Sequence, residues 1–181
     1  MTTTREPVTS TPVVPVADTV QLLRDEQAVR DLGYRFADAC NRDDTTAFRA
    51  LWAADGVWII DDPINIRAEG GDTIASTRAA LRQGWDFFVQ LPSAPVVTVD
   101  GDRATSTWTV CEHANNAAGQ LGYHNYARYD DQLTRTPDGW RYLCRHYRYY
   151  HLDQTPLASS APTPPAPTVD PAPLTRGPGI H

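Results

Sequence analysis

The chain has 181 residues, 41% of them hydrophobic, and a formal net charge of −6 at pH 7. This length suits one ordinary domain and is too short for two large ones. The negative charge argues against a broad basic nucleic-acid surface, and no apolar run reaches the roughly 20 residues that span a bilayer. We therefore expect one domain that binds neither nucleic acid nor a membrane.

The two ends of the chain differ in composition from its middle. Residues 1–17 are rich in Thr, Pro and Val, and residues 155–181 are dense in Pro, Ala, Ser and Thr. Neither segment can bury enough apolar surface to offset the entropy lost on ordering. We predict a disordered arm at 1–17, a folded domain at 18–154 and a disordered tail at 155–181, with polyproline character at 161–173.

The cysteines and basic residues limit the chemistry. Cys40, Cys111 and Cys144 lie far apart and lack the C-x-x-C spacing of a metal motif. The first residues lack the basic start and apolar core of a secretory signal. We expect reduced thiols in a cytoplasmic protein. All 16 basic residues are arginine, which excludes Schiff-base chemistry and a lysine base.

The first half of the chain is predicted to be mainly helical. Asp18 or Thr19 is a candidate cap for a helix that runs to about Asn41, because apolar residues recur there at helical spacing. A short second helix is predicted at 45–52, and a third starts at Gly70-Gly71 and runs to about Val89. Strands are predicted at 53–60 and 64–67.

The second half of the chain favours strands. Pro92 and Pro95 end the third helix, and two strands follow around the turn at Asp100-Gly101. Residues 122–153 form a long hairpin with its turn at 136–139, where proline and glycine suit a tight turn. Helices first and neighbouring strands afterwards predict an α+β fold with an antiparallel sheet.

Histidines and other ionisable residues follow these late strands, so we interpret the hairpin as one wall of a pocket. A two-residue loop at 118–119 places His113 opposite His124. A three-residue loop instead places Glu112 and His124 on one face. A two-residue turn at the tip of the later hairpin sets His124 opposite His151. The residues alone leave the register open.

Three interpretations of the histidines remain open. A histidine beside a carboxylate or a second histidine has a pKa suited to acid–base chemistry near neutrality. His113, His124 and His151 on adjacent strands are a candidate zinc or iron site. The third interpretation is structural, with histidines hydrogen-bonded in a hydrated sheet. The sequence has no H-E-x-x-H motif, G-x-S-x-G elbow or P-loop.

Four short motifs in a characteristic order resemble a known family. They are NRDD at 41–44, LWAADGVW at 51–58, VDGDRA at 99–104 and DGW at 138–140. Together they resemble the SnoaL-like branch of the nuclear-transport-factor-2-like superfamily, which contains polyketide cyclases, scytalone dehydratase, bile-acid dehydratase and ketosteroid isomerase. The resemblance implies a cone-shaped α+β barrel, in which a curved antiparallel sheet and three helices surround a deep pocket. It also implies homodimers and no cofactor.

The resemblance implies roles for particular residues. His124 matches the catalytic histidine of the dehydratases. Glu112, four residues after Trp108, matches an acidic residue of bile-acid dehydratase, which favours the register that places Glu112 and His124 on one face. Asp61 lies within a residue or two of the base of the isomerase.

Other positions depart from the family pattern. Asn41 replaces the aspartate of the first helix, Phe36 replaces a tyrosine, and Gln90 stands where a second histidine is usual. The known dehydratase and isomerase mechanisms therefore do not transfer unchanged. The fold is unaffected by these three departures.

The sequence supports the hypothesis of a cofactor-independent acid–base enzyme, a cyclase, dehydratase or isomerase, for a hydrophobic, oxygenated, polycyclic metabolite. His124 moves the proton, Glu112 assists and Asp61 is a reserve base. The expected substrate-binding residues are Phe36, Asn41, Trp58, Phe88, Gln90, Trp108, His113, Tyr126 and Arg128. Two alternatives are a non-catalytic binding or accessory protein and a metal-dependent enzyme that uses the histidine cluster.

Overall fold

The computed structural model describes residues 15–116 and 121–157. The predictions for the loop at 118–119, for residues 1–14 and for the tail at 158–181 lie outside these residues. Three helices occupy the N-terminal half: α1 (Val16–Asn41), α2 (Thr45–Arg49) and α3 (Gly71–Arg82). The six strands are β1 (Trp52–Ile60), β2 (Ile66–Glu69), β3 (Phe87–Asp100), β4 (Arg103–Asn115), β5 (Gly122–Thr136) and β6 (Gly139–Asp153). The predicted α+β class is confirmed.

The six strands form one curved sheet in the order β2-β1-β6-β5-β4-β3. All neighbouring pairs are antiparallel except β1 and β6, which run parallel. The sheet does not close into a barrel, so β2 and β3 are its two edges. No helix in the described ranges is long and apolar enough to cross a membrane.

Helix α1 begins earlier than predicted. Pro15 precedes its first residue with a φ of −56°, an angle already suited to helix entry. Asp18 and Thr19 are therefore not caps: Asp18 lies in the first turn, where its charge complements the helix dipole. The predicted apolar face is confirmed, since Val29 and Phe36 are both buried.

Helix α3 ends earlier than predicted. It stops at Arg82, and Gly84 follows with a φ of +86°, which a residue without Cβ adopts easily. Strand β3 then includes Pro92 and Pro95. Both prolines are tolerated because β3 is an edge strand, where the missing N–H group need not cost a ladder hydrogen bond.

The strand register corrects two predictions. Across β4 and β5, His113 lies opposite His124, and Glu112 lies opposite Asn125. The register favoured by the family resemblance is therefore wrong: Glu112 and His124 point to opposite faces of the sheet. The two-residue turn between β5 and β6 is confirmed, but two register shifts along this pair place Asp153 opposite His124.

Candidate active site

A cavity of about 540 Å³ lies between the helices and one face of the sheet, here called the inner face. Its described lining is mostly apolar and aromatic, with Phe36 from α1, Leu81 from α3, and Trp58, Phe88 and Tyr149 from the strands. Glu112 is the one carboxyl group among these described lining residues, and none of them is a histidine.

Three side chains hold the Glu112 carboxylate, which is only 7% exposed. The hydroxyl of Tyr147 donates to Oε2 at 2.7 Å, and Nδ2 of Asn125 donates to the same oxygen at 3.4 Å. Nε2 of Gln90 donates to Oε1. Gln90 also donates to the Tyr129 hydroxyl at 3.0 Å. These contacts fix the orientation of the carboxylate toward an apolar space.

Burial raises the pKa of Glu112 above its ordinary value, because the apolar surroundings disfavour the charged form. The hydrogen bonds from Tyr147, Gln90 and Asn125 and the positive charge of Arg145 oppose this rise. A carboxyl whose pKa moves toward neutrality is suited to both accepting and returning a proton.

Asn41 fixes the position of Gln90, one of the three residues that donate to Glu112. Its Nδ2 donates to the backbone oxygen of Gln90 at 3.0 Å, and its Oδ1 accepts from the backbone N–H of Gln90 at 2.7 Å. The end of α1 is thereby joined to β3 at the residue that contacts Glu112. Asn41 is a positioning residue in this geometry and does not line the cavity.

A buried cation lies beneath the cavity wall. Arg145 is 1% exposed and pairs with Asp131, whose Oδ1 lies 3.0 Å from Nε. The guanidinium stacks 4.0 Å from the ring centroid of Phe36 and 3.7 Å from that of Tyr129. Burial raises the pKa of Asp131, and the charge of Arg145 opposes that rise. This pair supports two aromatic rings that line the cavity.

Three buried polar atoms of lining residues have no hydrogen-bond partner among the described residues. They are two donors, the indole Nε1 of Trp58 and Nε of Arg82, and one acceptor, Oδ1 of Asn125. Burying such groups unpaired is costly. The cavity is mostly apolar but is also lined by Arg78, Arg82 and Gln154, so it is suited to an apolar molecule that carries oxygen substituents.

The model of the SnoaL-like domain family matches residues 21–146. The chain belongs to the SnoaL-like domain family. No curated protein matches it in sequence. One similar structure is a proposed scytalone dehydratase from Novosphingobium aromaticivorans DSM 12444, with a TM-score of 0.68, 14% identity, and coverage of 79% of this chain and 99% of that one.

Two further structures share the fold. The hexachlorocyclohexane dehydrochlorinase LinA-type3 from Novosphingobium barchaimii LL02 has a TM-score of 0.68 and 18% identity over 81% of this chain and 99% of that one. A proposed aromatic ring hydroxylase from Novosphingobium aromaticivorans has a TM-score of 0.68 and 19% identity over 74% and 94%. At these identities the likeness establishes the fold.

The cavity of this SnoaL-like protein contains some of the residues predicted for the site. They are Phe36, Trp58, Phe88, Gln90 and Glu112. Asn41 acts behind Gln90, as described above. Trp108 is buried in the core against Gly33 and Tyr34 and does not line the cavity.

The remaining predicted residues lie elsewhere. His113, His124, Tyr126 and Arg128 are absent from the lining because their strand positions face away from the cavity. Asp61 is also outside it: Oδ1 lies 2.6 Å from Nε2 of His146, and the side chain is 46% exposed. The prediction that His124 and Glu112 share a pocket is therefore wrong.

Sequence reasoning found Gln90 but missed the other two hydrogen-bond partners of Glu112 in this SnoaL-like protein, Asn125 and Tyr147. It also missed Tyr129, which accepts from Gln90 and lines the cavity. A signal was present in β5, where the odd-numbered positions include Ala127 and Leu133, whereas the even-numbered positions from 124 to 134 are all polar or aromatic. This alternation indicates that the odd positions face inward.

Proposed function

We propose that this SnoaL-like protein is an enzyme that transfers a proton within a hydrophobic, oxygenated metabolite, with Glu112 as the acid–base group. The single observation that carries the proposal is the position of Glu112: a buried carboxyl group, held by three hydrogen-bond donors, and the one carboxyl among the described residues that line a mostly apolar cavity. An apolar pocket with a few convergent polar groups is the usual form of a small-molecule site.

The chemistry needs one group that both takes and gives a proton. Ionised Glu112 takes a proton from a carbon next to a carbonyl group. The protonated carboxyl then returns it to a departing hydroxyl group, which completes a dehydration, or to a different carbon, which completes an isomerisation. In a cyclisation the enolate carbon attacks a second carbonyl carbon of the same molecule, and the carboxyl gives its proton to the alkoxide oxygen that forms there. No step requires a cofactor.

Elimination is the reaction type that we favour. The names of two structural neighbours, a dehydratase and a dehydrochlorinase, both denote removal of a small acid or water across a bond. The cavity of about 540 Å³ accommodates a molecule of several rings. Positioned proton transfer of this kind contributes roughly 10²–10⁴-fold in rate.

Comparative metabolite profiling tests the proposal. A strain that lacks the gene is complemented with wild type, with Glu112→Gln or with Glu69→Gln. Glutamine in place of Glu112 keeps the shape of the side chain but cannot carry the proton. Glu69 is a matched control because its carboxylate is 64% exposed and contacts Arg67 on the surface.

We expect the deletion strain to accumulate a precursor that differs from the lost product by water, by ring closure or by a shifted double bond. Wild type and Glu69→Gln restore the product, and Glu112→Gln does not. Full restoration by Glu112→Gln would show that the carboxyl is not catalytic, and the protein would then be a binding or accessory member of the family.

A further inference from the structure

Three side chains that commonly ligate metals meet on the outer face of the sheet, away from the cavity. Cys111 and His113 are two residues apart on β4, so they share a face. His124 lies directly opposite His113 on β5. One potential ligand atom from each of the three residues lies within 4.8 Å of the other two. Two neighbouring strands thus bring one thiol and two imidazoles together.

The distances are close to those of a zinc site. Sγ of Cys111 lies 3.2 Å from Nε2 of His113, and the two histidine rings stack with centroids 4.2 Å apart and planes 19° apart. Tetrahedral zinc, with bonds of about 2.3 Å to sulfur and about 2.1 Å to nitrogen, holds such ligand atoms about 3.4–3.6 Å apart. Because an imidazole binds a metal through a lone pair in its ring plane, binding of one ion requires the two nearly parallel rings to rotate out of their stack toward Sγ of Cys111.

The hydrogen bonding of the three side chains also suits a metal ligand set. Sγ of Cys111 and Nε2 of His113 are within hydrogen-bonding distance of each other. Nε2 of His124 is buried and without a partner among the described residues.

We propose that Cys111, His113 and His124 bind one thiophilic divalent transition metal ion per chain, with Zn²⁺ as the reference ion and water as the fourth ligand. Cysteine and histidine are the preferred ligands of such ions, and three protein ligands leave one position open. All three residues are half-buried, so solvent reaches the group. The proposal goes beyond the acid–base function, because Glu112 lies on the other face of the sheet.

Cobalt titration tests this site without any knowledge of the substrate. The untagged, reduced full-length chain is freed of metal with a chelator and titrated with Co²⁺, which gives a thiolate charge-transfer band when cysteine binds it. We expect saturation at one Co²⁺ per chain, with visible bands of tetrahedral intensity, and displacement of the cobalt by Zn²⁺. Circular dichroism of each variant shows that it is folded.

Variants separate the proposed ligands from other residues. Cys111→Ser abolishes the charge-transfer band. His113→Asn and His124→Asn each weaken binding at least about 100-fold, since loss of a mere supporting contact already costs about 10–100-fold. Cys144→Ser is the matched thiol control, and His151→Asn is the matched imidazole control on β6; both leave binding unchanged.

Several outcomes would overturn the proposal. One is no stoichiometric cobalt binding by the wild-type chain at micromolar concentrations. Another is a charge-transfer band that persists in Cys111→Ser and disappears in Cys144→Ser. Unchanged affinity in folded His124→Asn would also overturn it, because the thiol and His113 would then be binding without the third ligand. None of these results bears on Glu112, so the two proposals can fail separately.

Discussion

The hydroxyl of Tyr147 donates a 2.7 Å hydrogen bond to Oε2 of Glu112, and this bond stabilises the ionised carboxylate inside an apolar cavity. Tyr147→Phe removes the donor and leaves the ring in place. We expect the pKa of Glu112, already raised by burial, to rise further, because the hydrogen bond lowers it. Carbon-13 NMR titration of the Glu112 side-chain carboxyl measures the change.

Tyr149→Phe is the control for this change. Tyr149 also lines the cavity, but none of the three side chains that donate to Glu112 is Tyr149. Removal of the Tyr149 hydroxyl group is not expected to raise the pKa of Glu112. Equal shifts in the two variants would mean that cavity polarity, rather than the Tyr147 hydrogen bond, sets the pKa.

Asn41 contributes both stability and the position of Gln90. Asn41→Ala removes two hydrogen bonds to the backbone of Gln90, each worth about 0.5–1.5 kcal/mol, so we expect a loss of about 1–3 kcal/mol in the free energy of unfolding. Urea unfolding measures this loss. Because Gln90 is then held less firmly against Glu112, we also expect the pKa of Glu112 to rise.

Arg42→Ala is the control for Asn41→Ala at the same end of α1. Arg42 makes an exposed ion pair with Asp38, a contact worth at most about 1 kcal/mol. It is expected to leave the pKa of Glu112 unchanged. A destabilised Asn41→Ala protein with an unaltered Glu112 pKa would assign Asn41 a purely structural role.

The elements of this fold were predictable because hydrophobic periodicity and turn residues are local signals. Three helices, six strands and the turn between β5 and β6 follow from them. The two register shifts between β5 and β6 were not predicted. One of them changes the phase of burial along β6, from the even positions Trp140 and Tyr142 to the odd positions Arg145 and Tyr147, and the buried arginine hides that change in the hydrophobic pattern of the sequence. Because of the two shifts, His124 lies opposite Asp153, and the sequence predicted His151.

The site was only partly predictable for a related reason. Glu112, Gln90 and Phe36 were found because family positions pointed to them. His124 was chosen for its chemistry, although Ala127 and Leu133 on the alternate positions of β5 indicate that the other side of that strand is buried. The reactivity of a side chain does not decide its direction; the burial of its neighbours does. Tyr147 was missed because its role requires the register of three strands.

Asp25 provides a pH-dependent contribution to stability. Its two carboxylate oxygens accept from Arg135 at 2.7 and 2.8 Å, and Trp140 donates to Oδ1 at 3.1 Å. The hydrogen bonding from Arg135 lowers the pKa of Asp25 below its ordinary value of 3.8. Asp25→Asn is expected to cost about 1.5–3 kcal/mol at pH 7, since the lost bonds involve charged groups.

The sign of the pH dependence follows from the lowered pKa of Asp25. The folded state binds the proton less readily than the unfolded state, so the stabilisation is present above pH 3.8 and is lost as the pH falls below it. The stability gap between wild type and Asp25→Asn therefore narrows from pH 7 to pH 3 in urea unfolding. Asp31→Asn, an exposed change on the same helix, is the control variant. A gap that is constant with pH would exclude the ionised pair as its source.

Gly33 lets α1 approach the sheet closely. A Cβ atom at this position would overlap the indole ring of Trp108, which is 1% exposed and cannot move aside. Alanine is favoured over glycine in a helix by about 1 kcal/mol, whereas overpacking a core costs about 1–3 kcal/mol. The cost of the overlap therefore exceeds the gain in helix propensity, and we expect Gly33→Ala to lower the free energy of unfolding by up to about 2 kcal/mol.

Gly71→Ala at the start of α3 is the matched comparison for Gly33→Ala. Its Cβ would meet the guanidinium of Arg49, the end of a flexible side chain that is 35% exposed and can swing away. Only the exposed pair between Arg49 and Asp72 is lost, at a cost of at most about 1 kcal/mol. Thermal and urea unfolding should therefore show a larger loss of stability in Gly33→Ala than in Gly71→Ala. If Gly33→Ala is as stable as wild type, the close approach of α1 to Trp108 is not a constraint on the fold.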